Sequence, residues 1–158
     1  LGEILPEDDI TVLRGIEGAR MKALYKRLAE QFGIPWSHRL YDRNEPDAAD
    51  QPNQAINHAA TAVLGLAQLA VAISGAIPQL GFIHEDSGFA FPLDVADLFR
   101  DSVTVAGAFA AVKLRRAGEH KDEPLERTVR RLAGKRFRQD KLVVQMIDRI
   151  KELFDADE

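Results

Sequence analysis

A chain of 158 residues, 46% of them hydrophobic, is long enough to fold as one domain around a single core without covalent staples. It contains no cysteine, which excludes disulfides, zinc–thiolate sites and thiol nucleophiles and is compatible with a reducing cytoplasm. The formal net charge of −4 hides an uneven distribution: from Lys113 to Lys141, eleven Lys or Arg stand against five Asp or Glu, a basic stretch in an otherwise acidic chain.

The chain opens on leucine rather than methionine, and we expect it to be part of a longer protein. Glu3, Glu7, Asp8 and Asp9 are the opposite of a secretory leader's basic start. From Ile10 to Phe32 the apolar residues Leu13, Met21, Leu24, Leu28 and Phe32 recur at helical spacing, which predicts an amphipathic helix. Asp8 or Asp9 can cap its start, and Gly33 followed by Pro35 supplies a stop. Glu17 lies four residues after Leu13 and four before Met21, within the stripe expected to face the core. A carboxylate there needs a proton, an ion-pair partner such as Arg14, Arg20 or Arg27, or a metal ion. Gly15 and Gly18 flank it, each costing about 1 kcal/mol of helix propensity, so a close approach to this helix is expected.

Residues 34–52, with Pro35, Pro46 and Pro52, read as a connection carrying an aromatic pair, Trp36 and Tyr41. No Asp, Glu, Lys or Arg occurs from Gln51 to His84. The helical part of this run, Asn53 to Ser74, carries amides, His58 and many alanines, so we expect a helix buried in a helical domain rather than a membrane span. Its alanines and Gly65 would let neighbours pack closely; Gly75 and Pro78 end it.

Charge returns at residues 81–99, GFIHEDSGFAFPLDVADLF. His84 precedes Glu85 and Asp86, Asp94 follows ten residues later, and Asp97 one helical turn after that. A helix should begin near Pro92, a residue suited to a first turn, with Asp94 and Asp97 on one face. Acids in a first turn also complement the helix dipole, and Asp101 continues the stripe, so a solvated edge accounts for them as well. The helix should continue from Ser102 to Ala117, with GEHKDEP, residues 118–124, as a turn. Two further amphipathic helices are expected at about Leu125 to Ala133 and Phe137 to Phe154. No run alternates at period two for long enough to make a strand, so the expected class is all-α, about five to seven helices around a metal-binding cleft.

Glu17, His84, Asp94 and Asp97 make three carboxylates and an imidazole from three elements. Oxygen-rich donors with one nitrogen suit Mg²⁺ or Mn²⁺ rather than structural zinc. Beside a basic surface, such an ion would serve phosphodiester chemistry. Arg127, Arg130 and Arg131 lie on neighbouring turns of one predicted helix, although a basic face is most often simply solvated.

The strings RGIEGAR at 14–20, GFIH at 81–84 and the F-x-x-D-x-A-D pattern at 91–97 resemble the C-terminal catalytic domain of the CRISPR-associated spacer-acquisition endonuclease and integrase, the larger universal adaptation protein, in its type I-E form. The resemblance runs from about Pro6 to Leu153. It implies a metal-dependent DNA nuclease and integrase that inserts new spacers into a CRISPR array by transesterification, works as a homodimer bridged by a small ferredoxin-like partner, acts on double-stranded or branched DNA and resides in a prokaryotic cytoplasm, with no membrane partner. It implies that residues 1–158 are the C-terminal helical domain, with the family's β-rich N-terminal domain outside them. By position, Glu17, His84 and Asp97 resemble the metal ligands and Asp94 the accompanying essential acid. Arg14, Arg100, Arg127 and Arg130 resemble DNA-facing basic positions. The rival expectation from a different class is a non-catalytic helical module that binds DNA or protein through its basic C-terminal helices.

Overall fold

The structure, a computed structural model, describes residues 10–41, 49–85 and 87–155, and of residues 10, 11, 13, 14, 17 and 155 it describes the backbone alone. Six α-helices account for most of it, α1 (Ile10–Phe32), α2 (Gln51–Ser74), α3 (Ala90–Asp97), α4 (Ala106–Arg116), α5 (Leu125–Gln139) and α6 (Leu142–Asp155). A π-helical segment, Arg100–Val105, joins α3 to α4, and no strand occurs among the described residues. The all-α class is therefore observed.

α2 is the helix that the others surround. Asp50 caps its start by accepting the Asn53 N–H at 3.0 Å, Pro52 occupies the first turn, and Gly75 ends it at φ +70°. Ala55, Ala59, Val63, Ala67 and Val71 recur at the helical period and are buried, and α2 packs against α3, α4, α5 and α6. It is long and apolar enough to cross a bilayer by length and composition, yet these neighbours cover its apolar stripe. The expected role of Gly65 differs: it is exposed, a Cβ there would meet nothing within 4 Å, and the alanines alone permit the close packing.

The core divides along α2. Its first half joins Tyr25 and Ala29 of α1, Phe109 and Val112 of α4, and Val129 of α5. Its second half joins Phe91 and Val95 of α3, Phe99, Val103, and Leu142, Met146 and Ile150 of α6. α1 keeps its expected bounds and stops at Gly33 (φ +67°), where the Ile34 N–H returns to the Ala29 carbonyl at 2.8 Å. Its packing face is shifted, however, with Tyr25 and Ala29 buried among Met21, Leu28 and Phe32. Among the described residues nothing approaches Gly15 or Gly18, and a Cβ at either would meet nothing within 4 Å. The proposed Asp8 or Asp9 cap, residues 42–48 of the connection and Asp86 lie outside the described residues. Trp36 and Tyr41 are not a pair: Trp36 stacks on Tyr25 and meets Phe109 edge-on, whereas Tyr41 is exposed.

Two boundaries move. α5 runs through Gly134 to Gln139, because one glycine costs only about 1 kcal/mol while Leu132 and Phe137 on either side of it are packed into the core. The true break is at Asp140 and Lys141, the latter at φ +51°. Between α3 and α4 the Val103 and Thr104 N–H groups both donate to the Phe99 carbonyl at 3.1 Å, the second bond being the wide π turn. The extra residue lets Val103, Thr104 and Val105 all be buried in succession.

Candidate functional site

The loop after α2 is drawn back onto α3 by one carboxylate. Asp94 accepts backbone N–H groups from Phe82, from Ile83 at 3.1 Å and from His84 at 3.2 Å, and its Oδ1 bonds the His84 Nδ1 at 2.6 Å. The Phe91 N–H adds a bond to the Pro78 carbonyl at 2.9 Å. Gly81 permits the closure, since a Cβ there would lie 2.3 Å from the His84 carbonyl oxygen and 2.9 Å from the Asp94 Oδ2. The Asp94 side chain is 9% exposed and that of His84 34%. Burial pushes the Asp94 carboxyl pKa upward, but the His84 ring and the three backbone donors outweigh it and hold it below the usual carboxylate value. Asp94 thus remains ionised, and the His84 ring is fixed through Nδ1 with Nε2 left for another partner.

Asp97 follows one turn later on α3, so its Cβ lies beside that of Asp94, and Arg100 Nη2 pairs with its Oδ1. Its carboxylate is half-buried, as is the Arg100 side chain, and both residues line two separate clefts. Glu17 and Arg14 sit in the first two turns of α1, and their side chains lie outside the described residues. Among the described residues no group of three His, Asp or Glu stands ready to hold a metal ion. The donors that are described suit a hard divalent cation in chemistry: an imidazole oriented by a carboxylate and a second carboxylate one turn away.

The first cleft, of 440 Å³, contains residues that sequence reasoning missed. Arg39, half-buried in its wall, donates to Asn53 Oδ1 at 3.0 Å and to Asn57 Oδ1, and stacks its guanidinium 5.5 Å from the Tyr41 ring. Burial, supported by the charge of Arg100, lowers the Arg39 pKa despite the opposing Tyr25 and Tyr41. The Asn57 Nδ2 beside it is buried with no hydrogen-bond partner among the described residues. Asn53 is fully buried; it also accepts from the Leu40 N–H at 2.9 Å and donates to the His38 carbonyl at 3.1 Å, clamping the connection to the start of α2. The signal available in the sequence was Asn53 and Asn57, one turn apart at the head of an apolar helix, facing an arginine between two aromatics.

Three basic residues in the first half of α5 are engaged locally. Arg130 pairs with Glu126 at 2.9 Å, and Arg127 and Arg131 with Glu123 at 3.8 and 2.7 Å. The Arg131 bond is the main reason that the Glu123 pKa is lowered. Both Arg127 and Arg130 nonetheless keep most of their side-chain surface in solvent.

The family model for CRISPR associated protein Cas1 matches residues 1–150. The CRISPR-associated endonuclease Cas1 1 of Rhodospirillum rubrum is 36% identical over 144 residues, covering 91% of this chain and 46% of that protein. The CRISPR-associated endonuclease Cas1 of Escherichia coli K12 is 34% identical over 146 residues, covering 92% and 46%. The chain therefore spans about half the length of these curated relatives. Among solved structures, a crystal structure of a TtCas1–DNA complex aligns with 98% of this chain and 55% of its own, at 34% identity and a TM-score of 0.86. A crystal structure of TtCas1 aligns over the same shares at 32% identity and a TM-score of 0.79.

Proposed function

This chain belongs to the CRISPR-associated Cas1 family, as its helical C-terminal domain, and from that premise we propose that it is the catalytic part of a metal-dependent DNA endonuclease and integrase that inserts spacers into a CRISPR array by transesterification. The observation that carries the reading is the His84–Asp94 bond of 2.6 Å with Asp97 one turn along the same helix. His84, Asp97 and Glu17 would hold Mg²⁺ or Mn²⁺. A divalent ion so held supplies polarisation of the target phosphate and stabilises the attacking and leaving oxygens of an in-line displacement.

The protein's own groups do the rest. Asp94 would keep the Nδ1 proton on His84 and leave Nε2 for the metal ion, so its role would be to orient His84 rather than to transfer a proton itself. Arg100 lies on the rim where a phosphodiester would meet Asp97, and Arg39 lies in the wall of the adjoining cleft; each would neutralise backbone charge. Arg14, Arg127 and Arg130 would extend that contact. The working assembly would be a homodimer with a small ferredoxin-like partner, on double-stranded or branched DNA in a prokaryotic cytoplasm, in line with the DNA complex formed by the TtCas1 relative.

Mn²⁺ titration by calorimetry tests the reading directly. Saturable binding to the chain should weaken at least tenfold in His84→Ala and in Asp97→Ala, and the same variants should lose Mn²⁺-dependent cleavage of branched DNA. Unchanged metal binding and cleavage in both variants would refute the assignment.

A further inference from the structure

Asp97 and Arg100 form a ridge with a cleft on each side, and the two clefts differ in chemistry. The first holds Arg39, Tyr41 and the unpartnered Asn57 amide. The second, of 820 Å³, opens toward α1 and is lined by Arg20, Leu24, Arg27, Leu98, Asp101 and the ridge itself. Resting on the functional reading above, we propose that this second cleft is a binding track for the sugar–phosphate backbone of duplex DNA, with Arg20 and Arg27 on α1 gripping the strand whose scissile phosphate lies at Asp97.

Arg20 and Arg27 are seven residues apart, two helical turns, so they share one face of α1. Their Cα positions are separated by about 10.5 Å along the axis. That distance spans about three steps of a DNA strand at about 3.4 Å each. Both side chains are exposed, and neither has an ion-pair partner among the described residues, in contrast to Arg127, Arg130, Arg131, Arg136 and Arg149, each of which is paired. Of the acids in the cleft, Asp97 pairs with Arg100, itself a lining residue, and Asp101 accepts the Ser102 N–H at 2.6 Å, so three arginines there stand against two carboxylates. Among the described residues no aromatic ring lines the cleft, so they offer no platform on which an unpaired base could stack. Cations over aliphatic walls suit phosphates rather than bases. A joining reaction brings together two DNA segments, and a ridge bearing the reactive carboxylate with a cleft on either side has room for both.

The experiment measures binding of a labelled blunt duplex and of a single-stranded oligonucleotide over a salt series, for the wild-type chain, Arg20→Ala/Arg27→Ala, and the control Arg149→Ala, with circular dichroism to verify folding. The double variant should show a duplex salt slope shallower by about 1.8, two phosphates at about 0.9 each. Its single-strand salt slope should be shallower by about 1.4, two phosphates at about 0.7 each, its Mn²⁺ affinity should match the wild type, and Arg149→Ala should change none of these. Wild-type duplex binding whose slope the folded double variant retains would overturn the α1 track alone. Absence of salt-sensitive binding of either DNA by the wild type would overturn the functional reading together with it.

Discussion

The two halves of α2 are held by different means. The first half sits in a close-packed apolar cluster where alanines of α2 meet Phe109 and Tyr25, and its one fully buried polar side chain, Asn53, has each of its hydrogen-bonding atoms engaged in bonds that hold the incoming chain in place. The second half also buries aromatics, but the loop that leaves it is pinned by a charged carboxylate, and Ile77, Leu80, Phe82 and Ile83 around that loop remain exposed. A neutral amide serves where the task is to satisfy backbone groups and hold the Arg39 guanidinium in place. A carboxylate serves where the same contact must also orient an imidazole, since a charge makes stronger hydrogen bonds and fixes the ring's tautomer. In the first half the shared residue is a neutral amide, Asn53, and in the second it is a carboxylate, Asp94.

The sharpest break of that contrast is in the first half's core. Phe109 is fully buried and meets Trp36 at 5.4 Å between ring centroids, so Phe109→Ala should cost about 3–5 kcal/mol in chemical denaturation. Phe91→Ala, at 1% exposure in the other half, should cost a similar amount, and only this second variant should also disturb the His84 loop. Next comes Asn53→Ala, which strands the Leu40 N–H and the His38 carbonyl and should cost about 2–3 kcal/mol without altering Mn²⁺ affinity.

Asp94→Asn should cost about 1.5 kcal/mol at neutral pH, because three backbone donors and the His84 ring lose a charged acceptor. Its pH dependence separates the two halves. The folded-state pKa of Asp94 lies below the ordinary 3.8, so its contribution is complete above that value and is lost as pH falls through the depressed folded value. The stability gap between wild type and Asp94→Asn should therefore close on acidification below about pH 4, whereas the gap for Asn53→Ala should persist. The smallest effect is expected for Arg130→Ala, which breaks an exposed pair with Glu126 four residues earlier and should shift stability by about 0.5 kcal/mol, less at high salt.

Much of the fold was legible because helical periodicity and chain punctuation are local properties. α1 keeps its expected bounds because Gly33 can take the left-handed conformation that ends a helix, and α2 reads as a buried helix from its alanines and amides. The α5–α6 break was misplaced because Gly134 is a weak helix breaker that packing on either side overrides, while the real turn falls on an aspartate and a lysine that carry no strong turn signal. Arg39 escaped notice because residues 34–52 lack periodicity, and its importance comes from Asn53 and Asn57, fourteen and eighteen residues later.

By itself the sequence determined the all-helical class, the helix that others surround and the residue types able to hold a hard cation, since these follow from spacing and side-chain chemistry within short stretches. Only the tertiary structure decided that Asp94 holds His84, that Asp97 and Arg100 divide two clefts, and that Arg20 and Arg27 of α1 stand without an ion pair among the described residues while Arg127, Arg130, Arg131 and Arg136 of α5 are paired. Such decisions depend on which groups meet across a fold, and the return of a loop onto α3, or of a connection onto α2, is set by the packing of whole helices rather than by any spacing within the chain.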